Sequence, residues 1–174
     1  MNDNDKPEPV SKSPFWRFSI KFYGVAGVAP ACIELQDQAG VDVNVLFFLL
    51  WNATERRALN ADDVTKVENA IRPWREMTVV PLRSMRRALK SPPSVMTPEA
   101  AEGFRTRIKS AELEAERLQQ EALYGVATSG TLGHPSPSPD QAAQDSFNSY
   151  QGVIGPFPPG PLQTILSAFA SFKA

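Results

Sequence analysis

Six cations between residues 72 and 90 give this 174-residue sequence its clearest chemical feature. Glu76 is the one acid in that segment. On a continuous helix, at about 100° per residue, the six cations fall within an arc of about 120° and form a basic stripe. Such a stripe can neutralise the phosphates of nucleic acid or bind another anionic ligand. The stripe comprises Arg72, Arg75, Arg83, Arg86, Arg87 and Lys90.

The same stripe is also typical of the solvated exterior of a helical bundle. Acids of the last predicted helix are numerous enough to neutralise it, namely Glu112, Glu114, Glu116 and Glu121. The chain has 18 Lys and Arg against 19 Asp and Glu, so it carries no excess positive charge, and it has no known nucleic-acid-binding motif. We therefore favour pairing between helices, and nucleic-acid binding is the less favoured alternative.

A second group of polar residues lies around the end of one predicted helix and the start of the next. Glu34, Asp37 and Asp42 could bind a cation, or could place one carboxyl of raised pKa beside an ionised one. The spacing of a calcium-binding loop with its internal glycine is absent. We favour capping, with Asp42 at the start of the third helix and Asn44 satisfying nearby backbone groups.

The sequence supplies few residues for metal or nucleophilic chemistry. It has one cysteine, Cys32, and one histidine, His134. Glu112 and Glu116 share a helix face, but paired glutamates that hold two metals in a bundle also need Glu-x-x-His motifs. We predict no catalytic, cofactor or metal site and an inert Cys32 in the core. An enzyme that works through Glu34, Asp37 or Asp42 is the third alternative.

Helix start and stop signals predict an all-α fold, a single bundle of about five helices between residues 13 and 124. Ser13 and Pro14 begin a helix at 14–23, and Gly40 ends a second one at 29–38. The third helix follows Asp42, and the fourth follows Asn60. Thr97 and Pro98 begin the last helix, which extends to about Tyr124. Pro73 is predicted to break or kink the fourth helix, and Pro81 is predicted to bend the further helical stretch that begins at Pro73.

The last helix carries an apolar seam with alternating spacings of three and four residues. Its small alanines would let a neighbouring helix approach closely, as in a coiled coil. We therefore also consider a homodimer that forms through this seam. The seam comprises Ala101, Phe104, Ile108, Ala111, Ala115, Leu118 and Ala122.

The two ends of the chain differ in composition from the helical domain. Residues 1–12 form a polar leader that we predict to be disordered. Residues 125–174 contain 7 Pro, 6 Gly and 7 Ser, and we predict a mostly disordered low-complexity tail. A short amphipathic helix at 162–172 could dock into a partner's groove or fold back on the chain's own core. Its apolar residues are Leu162, Ile165, Leu166, Phe169 and Phe172.

The compartment is predicted from the leader, the hydropathy and the cysteine count. The leader carries acids and lacks the basic start and apolar run of a secretory signal. The longest apolar stretch, at 43–53, falls short of the roughly 20 residues that a membrane-spanning helix needs. With a single cysteine, these features predict a cytoplasmic protein without a membrane span.

Several blocks in the same order resemble an uncharacterised proteobacterial family, a small helical domain of unknown function. The blocks are FW-x-F at 15–18, ACIELQDQAGVDVNVLFFLLW at 31–51, PWRE at 73–76, PLR-x-x-RR-x-LK at 81–90 and ELEAER at 112–117. The resemblance covers about residues 13–124 and leaves out the tail. It implies a helical fold and brings no activity, substrate or cofactor.

These observations lead to a functional hypothesis. We expect a small cytoplasmic helical protein that acts as a non-enzymatic protein-interaction module with an unknown protein partner. The tail helix and the basic stripe are the two candidate contact surfaces. The alternative is a binder of nucleic acid or another anionic ligand through the stripe at 72–90.

Overall fold

The computed structural model describes residues 12–130 and 132–172. The predicted leader therefore lies, except for Lys12, outside the described residues. Eight α-helices, one π-helical turn and two short strands follow one another in the described ranges. In chain order they are α1 Pro14–Tyr23, α2 Val28–Ala39, α3 Val43–Thr54, β1 Arg57–Ala58, α4 Ala61–Trp74, the π turn Arg75–Val79, α5 Val80–Ala88, α6 Pro98–Thr128, β2 His134–Pro135, α7 Pro139–Ile154 and α8 Pro159–Ser171.

The all-α fold class is confirmed, and α3 lies at its centre. Nearly every residue from Val45 to Leu50 is fully buried, because this helix is apolar on every side. Phe15 and Phe22 of α1 pack against its aromatic side chains, with the Phe15 and Phe48 rings 5.6 Å apart. The local signals were accurate here, since Ser13 caps α1 and Gly40 ends α2 at a φ of 66°.

The helical path from Ala61 to Ala88 continues through both prolines, so neither of them breaks it. Between them the backbone adopts a π-helical turn, in which the Val80 N–H donates to the Arg75 carbonyl. The wider turn accommodates the ring and the missing N–H of Pro81 without ending the helix. If residues 61–88 are counted as one helix, the described residues contain seven helices, whereas about five were predicted.

The prediction of a disordered tail was wrong for residues 132–172. There α7 packs on α3 and α4, and α8 packs on α2 and α7. The segment contributes large side chains to the core, namely Phe147, Tyr150, Phe157, Ile165 and Phe169. Four of the five lie on α7 and α8 and Phe157 lies in the connection between them, and their apolar burial offsets the entropy of ordering the chain.

The predicted docking residues of the tail lie against the chain's own core. Ile165 and Phe169 of α8 are buried, while Leu162, Leu166 and Phe172 are partly buried against the same cluster. The helix begins at Pro159, three residues before the predicted start. The Phe172 ring lies 5.3 Å from that of Phe22. This arrangement corresponds to the self-docking alternative.

The predicted seam of α6 is rotated relative to the buried face. Ala101 and Ala115 are buried, but Phe104, Ala111, Leu118 and Ala122 are exposed. The face that meets the rest of the protein carries polar side chains in their place, namely Glu112, Gln119 and Gln120. These three are buried because polar groups of α3 and α5 bond to them.

Within the described residues, no single helix combines the length and apolar composition needed to cross a bilayer. The pair α1 and α2 reaches that length and composition together, but the two helices meet at an angle of 99°.

Candidate functional site

Arg75 lies at the centre of a buried ion-pair network between α3, α4, α6 and α7. Its Nη1 atom lies 2.9 Å from Asp42 Oδ2, and its Nη2 atom lies 2.8 Å from Glu68 Oε2. The two carboxylates are 6% and 3% exposed. Gln119 donates to Asp42 Oδ2 at 2.6 Å, and the Tyr150 hydroxyl donates to Glu68 Oε1 at 2.8 Å. We call these five residues the core ion network.

The network also fixes the start of α3. Asp42 Oδ1 accepts from the Asn44 N–H at 2.8 Å, so the predicted capping role of Asp42 is confirmed. The Asp42 N–H in turn donates to the Tyr150 hydroxyl at 3.1 Å. The Asn44 side chain differs from its prediction, because it accepts from Gln120 of α6 at 2.7 Å.

Charge and burial shift the pKa values of two members of the network. Burial acts to lower the pKa of Arg75, but its hydrogen bonds to Glu68 and Asp42, and their charges, outweigh burial and raise that pKa. Burial raises the pKa of Tyr150 well above its ordinary value, and the charges of Asp42 and Glu68 raise it further. At neutral pH the network therefore contains a cationic arginine and a neutral phenol.

A second ionic cluster joins α5 to α6. Arg83 Nε lies 3.1 Å from Glu112 Oε1, and Arg83 Nη2 lies 2.7 Å from Glu116 Oε1. Arg86 forms two hydrogen bonds with the Glu112 carboxylate. We call Arg83, Arg86, Glu112 and Glu116 the arm clamp. The Trp74 indole strengthens this junction by donating to the Ala115 carbonyl at 2.9 Å.

The two glutamates of the arm clamp have pKa values shifted in opposite directions. Burial acts to raise the pKa of Glu112, but the hydrogen bond and charge of Arg86, together with Arg83, outweigh burial and lower it. Burial raises the pKa of Glu116, and the charge of Arg83 only partly offsets that increase. Glu112 is therefore the carboxylate whose ionised form the fold stabilises.

We predict that Glu112→Gln lowers the free energy of unfolding by about 1–3 kcal/mol at pH 7, because two arginines lose an ionised acceptor. Since the folded-state pKa of Glu112 is lowered, its contribution is present above its unfolded pKa and lost as pH falls through the folded value. Urea titrations of both proteins at pH 7 and about pH 3 measure the difference, which should shrink in acid. Glu76→Gln is the matched control, because Glu76 is exposed and forms no ion pair among the described residues, and a pH-independent difference contradicts the prediction.

Four of the six cations of the basic stripe are therefore bound to acids. Besides the three arginines above, Arg87 lies 2.9 Å from Asp37 on the surface. Arg72 and Lys90 are exposed and form no ion pair among the described residues. The stripe is therefore not a continuous row of unpaired cations. This geometry favours the interpretation in which the stripe pairs with acids of the other helices. Glu112 and Glu116 are two of the four acids proposed for that pairing.

The other candidates for chemistry lie apart from each other. Cys32 is a buried free thiol, and burial raises its pKa to about 12. A thiol with such a pKa is a poor nucleophile at neutral pH. His134 is exposed on β2. Glu34 is exposed and bonds to Gln38. Among the described residues, no group of three or more histidines, cysteines and acids is arranged to hold a metal ion.

The surface that stands out is the helical arm, which we define as residues 80–111. It consists of α5, the connection to α6 and the first half of α6. Ala101 is the one buried residue of this arm. Eleven large apolar side chains are exposed in the described residues; five of them lie on the arm, and three more lie within seven residues of its ends. These eight are Met77, Val80, Met85, Val95, Met96, Phe104, Leu113 and Leu118.

Residues 14–123 match the family described as a protein of unknown function, DUF2390. The chain belongs to the DUF2390 family. No curated protein and no solved structure matches the chain. The DUF2390 region contains the arm, the arm clamp and four members of the core ion network, while Tyr150 lies beyond it.

Sequence reasoning missed Glu68, Gln119 and Tyr150 as members of one network. Glu68 precedes Arg75 by seven residues, which places both on nearly the same side of the rod, and this spacing is a signal that could have found the pair. Tyr150 lies 82 residues from its acceptor, Glu68. No local pattern reports a contact of that separation.

Proposed function

We propose that this DUF2390 protein is a non-enzymatic protein-interaction module whose contact surface is the helical arm. The observation that carries the proposal is the exposure of large apolar side chains on a segment with a single buried residue. A concentration of exposed apolar side chains in one segment supports a contact with another molecule. The proposal replaces the tail helix as the contact surface, because α8 is already packed on the core.

The arm is built to present a surface in a fixed orientation. The π turn and the arm clamp hold its base on the body, through Arg83, Arg86 and the indole of Trp74. Its tip carries Val95 and Met96, both exposed. Methionine adapts its shape to different partners because its side chain is unbranched and polarisable. A fixed base with an adaptable apolar surface supports binding to a folded protein.

Site-specific photo-crosslinking in living cells tests this function. A photoreactive amino acid at Met85, on the arm, should form discrete adducts with a partner protein. The same amino acid at Ile33, on the exposed side of α2, is the matched control, since the two side chains are 45% and 50% exposed. Adding Ala88→Glu should abolish the Met85 adducts, because Ala88 is exposed three residues after Met85 on the same side of α5 and the change places a charge in the apolar contact.

Two results would contradict the proposal. The first is the same set of adducts from Met85 and Ile33, which indicates random collisions. The second is a set of Met85 adducts that Ala88→Glu leaves unchanged. Circular dichroism of the Ala88→Glu variant tests whether the fold is retained, so that loss of adducts reports loss of contact.

The proposal also places the protein in the cytoplasm of a proteobacterium. The free thiol of Cys32 is compatible with a reducing compartment, and the family blocks quoted above suggest the source. Fractionation of cells expressing the tagged protein tests the compartment.

A further inference from the structure

The exposed side of α6 carries a line of apolar residues that the rest of the protein leaves open. Phe104 and Leu118 are 43% and 42% exposed, and Ala111 between them is exposed as well. The three residues are seven positions apart, so they drift by only about 20° per step around the helix. The line is about 21 Å long at 1.5 Å per residue. We call these three residues the α6 ridge.

Opposite charges lie along one edge of the α6 ridge. Arg107 follows Phe104 by three residues, and Glu114 follows Ala111 by three residues, so both lie on the same edge. The Arg107 guanidinium lies 5.8 Å from the centre of the Phe104 ring, which holds it beside the ridge. Among the described residues Arg107 forms no ion pair, while Glu114 pairs with Arg117 on the solvent side of α6.

From this arrangement we propose that the α6 ridge is the contact between two copies of this chain, with the two α6 helices antiparallel and the two-fold axis at Ala111. The proposal rests on the proposed function, because it names the partner of the arm. Under that axis Phe104 faces the partner's Leu118, and Ala111 faces the partner's Ala111. The small alanine at the crossing lets the helices approach to about 8–10 Å. Arg107 then lies beside the partner's Glu114, and symmetry repeats this pair.

The charges favour the antiparallel arrangement over a parallel one. In a parallel pair the two-fold axis runs along the helices, so the edge that carries Arg107 faces the opposite edge of the partner's ridge. That edge carries Ile108 and Ala115, which have no charge. In the antiparallel pair both charges come from the exposed edge. The contact is small, so we expect a reversible dimer of modest affinity.

Charge reversal measured by analytical ultracentrifugation of the full chain tests the dimer. Arg107→Glu and Glu114→Arg should each weaken dimerisation about tenfold, because each turns two attractive pairs into repulsive ones. The double variant should recover most of the affinity. Lys109→Glu, on the same helix and outside the pairing, is the matched control. A chain that stays monomeric at millimolar concentration, or a double variant no better than the singles, overturns the proposal.

Single cysteines determine the orientation. Ala111→Cys should form a disulfide-linked dimer on mild oxidation, because the two cysteines meet on the axis. Leu118→Cys should not, since the two copies of residue 118 lie about 21 Å apart along antiparallel helices. Linking through Leu118→Cys as well as Ala111→Cys indicates a parallel pair and overturns the antiparallel arrangement.

The two proposals fail separately. If the chain is monomeric and its Met85 adducts contain a different protein, the result supports the interaction module and rejects a second copy as the partner. If Met85 and Ile33 give equal adducts but the dimer is sensitive to charge reversal, the arm is rejected as the general contact surface. The pairing of the two α6 helices is then still supported.

Discussion

A chain that ends at residue 130 should lose its cooperative unfolding transition, although it contains the whole DUF2390 region. The missing segment supplies five large buried side chains, and each contributes about 1.5–3 kcal/mol by burial. Their total is comparable with the stability of a typical domain, about 5–15 kcal/mol. The truncation also removes Ser146 Oγ, which accepts from the buried Leu59 N–H at 3.0 Å. Thermal melting followed by circular dichroism, with dye binding to exposed apolar surface, measures the loss.

Point substitutions in the full chain separate a packing role from a general effect of truncation. Phe147 is fully buried, so Phe147→Ala should lower the free energy of unfolding by about 3–5 kcal/mol. Its neighbour Asn148 is exposed, and Asn148→Ala should change it by less than about 0.5 kcal/mol. A truncated chain that melts sharply near the full-length temperature would show that residues 14–123 fold independently, against this prediction.

Local signals predicted the first helices accurately, because a cap depends on residues within one turn. Ser13, Asp42 and Thr97 each accept from a backbone N–H two or three positions ahead. The prediction of a disordered tail failed for a different reason. Counts of Pro, Gly and Ser predict disorder, yet Ala143, Phe147 and Tyr150 recur at helical spacing within it and find apolar partners on α3 and α4. Composition does not report whether such a partner surface exists.

The register of α6 could not be predicted from hydrophobicity alone. An apolar pattern selects Ala111 and Leu118 as the inner face, whereas the protein buries Glu112 and Gln119 in their place. Burying these polar residues is favourable only because Arg83, Arg86 and Asp42 supply partners from other elements. The candidate site therefore depends on charge pairs that form across the fold, and each member alone resembles an ordinary surface residue.

Arg75→Met should lower the free energy of unfolding by about 3–5 kcal/mol at neutral pH, because it leaves two buried carboxylates without a counter-ion. Asp42 and Glu68 cannot rotate into solvent easily, since one caps α3 and the other accepts from Tyr150. Urea unfolding at pH 7 measures the loss. Arg72→Met is the matched control on the same helix, where the side chain is exposed and forms no ion pair among the described residues, and it should change stability by less than about 0.5 kcal/mol.

Neutralising the carboxylates should recover part of that loss. Asp42→Asn keeps a good cap for α3, and Glu68→Gln keeps an acceptor for the Tyr150 hydroxyl. With Arg75→Met in the same chain, the three substitutions remove the charges while leaving most hydrogen bonds in place, and about half of the stability lost should return. If Arg75→Met is no more harmful than Arg72→Met, the core ion network contributes little. If the triple variant is less stable than Arg75→Met alone, shape and hydrogen bonding, not unpaired charge, account for the loss.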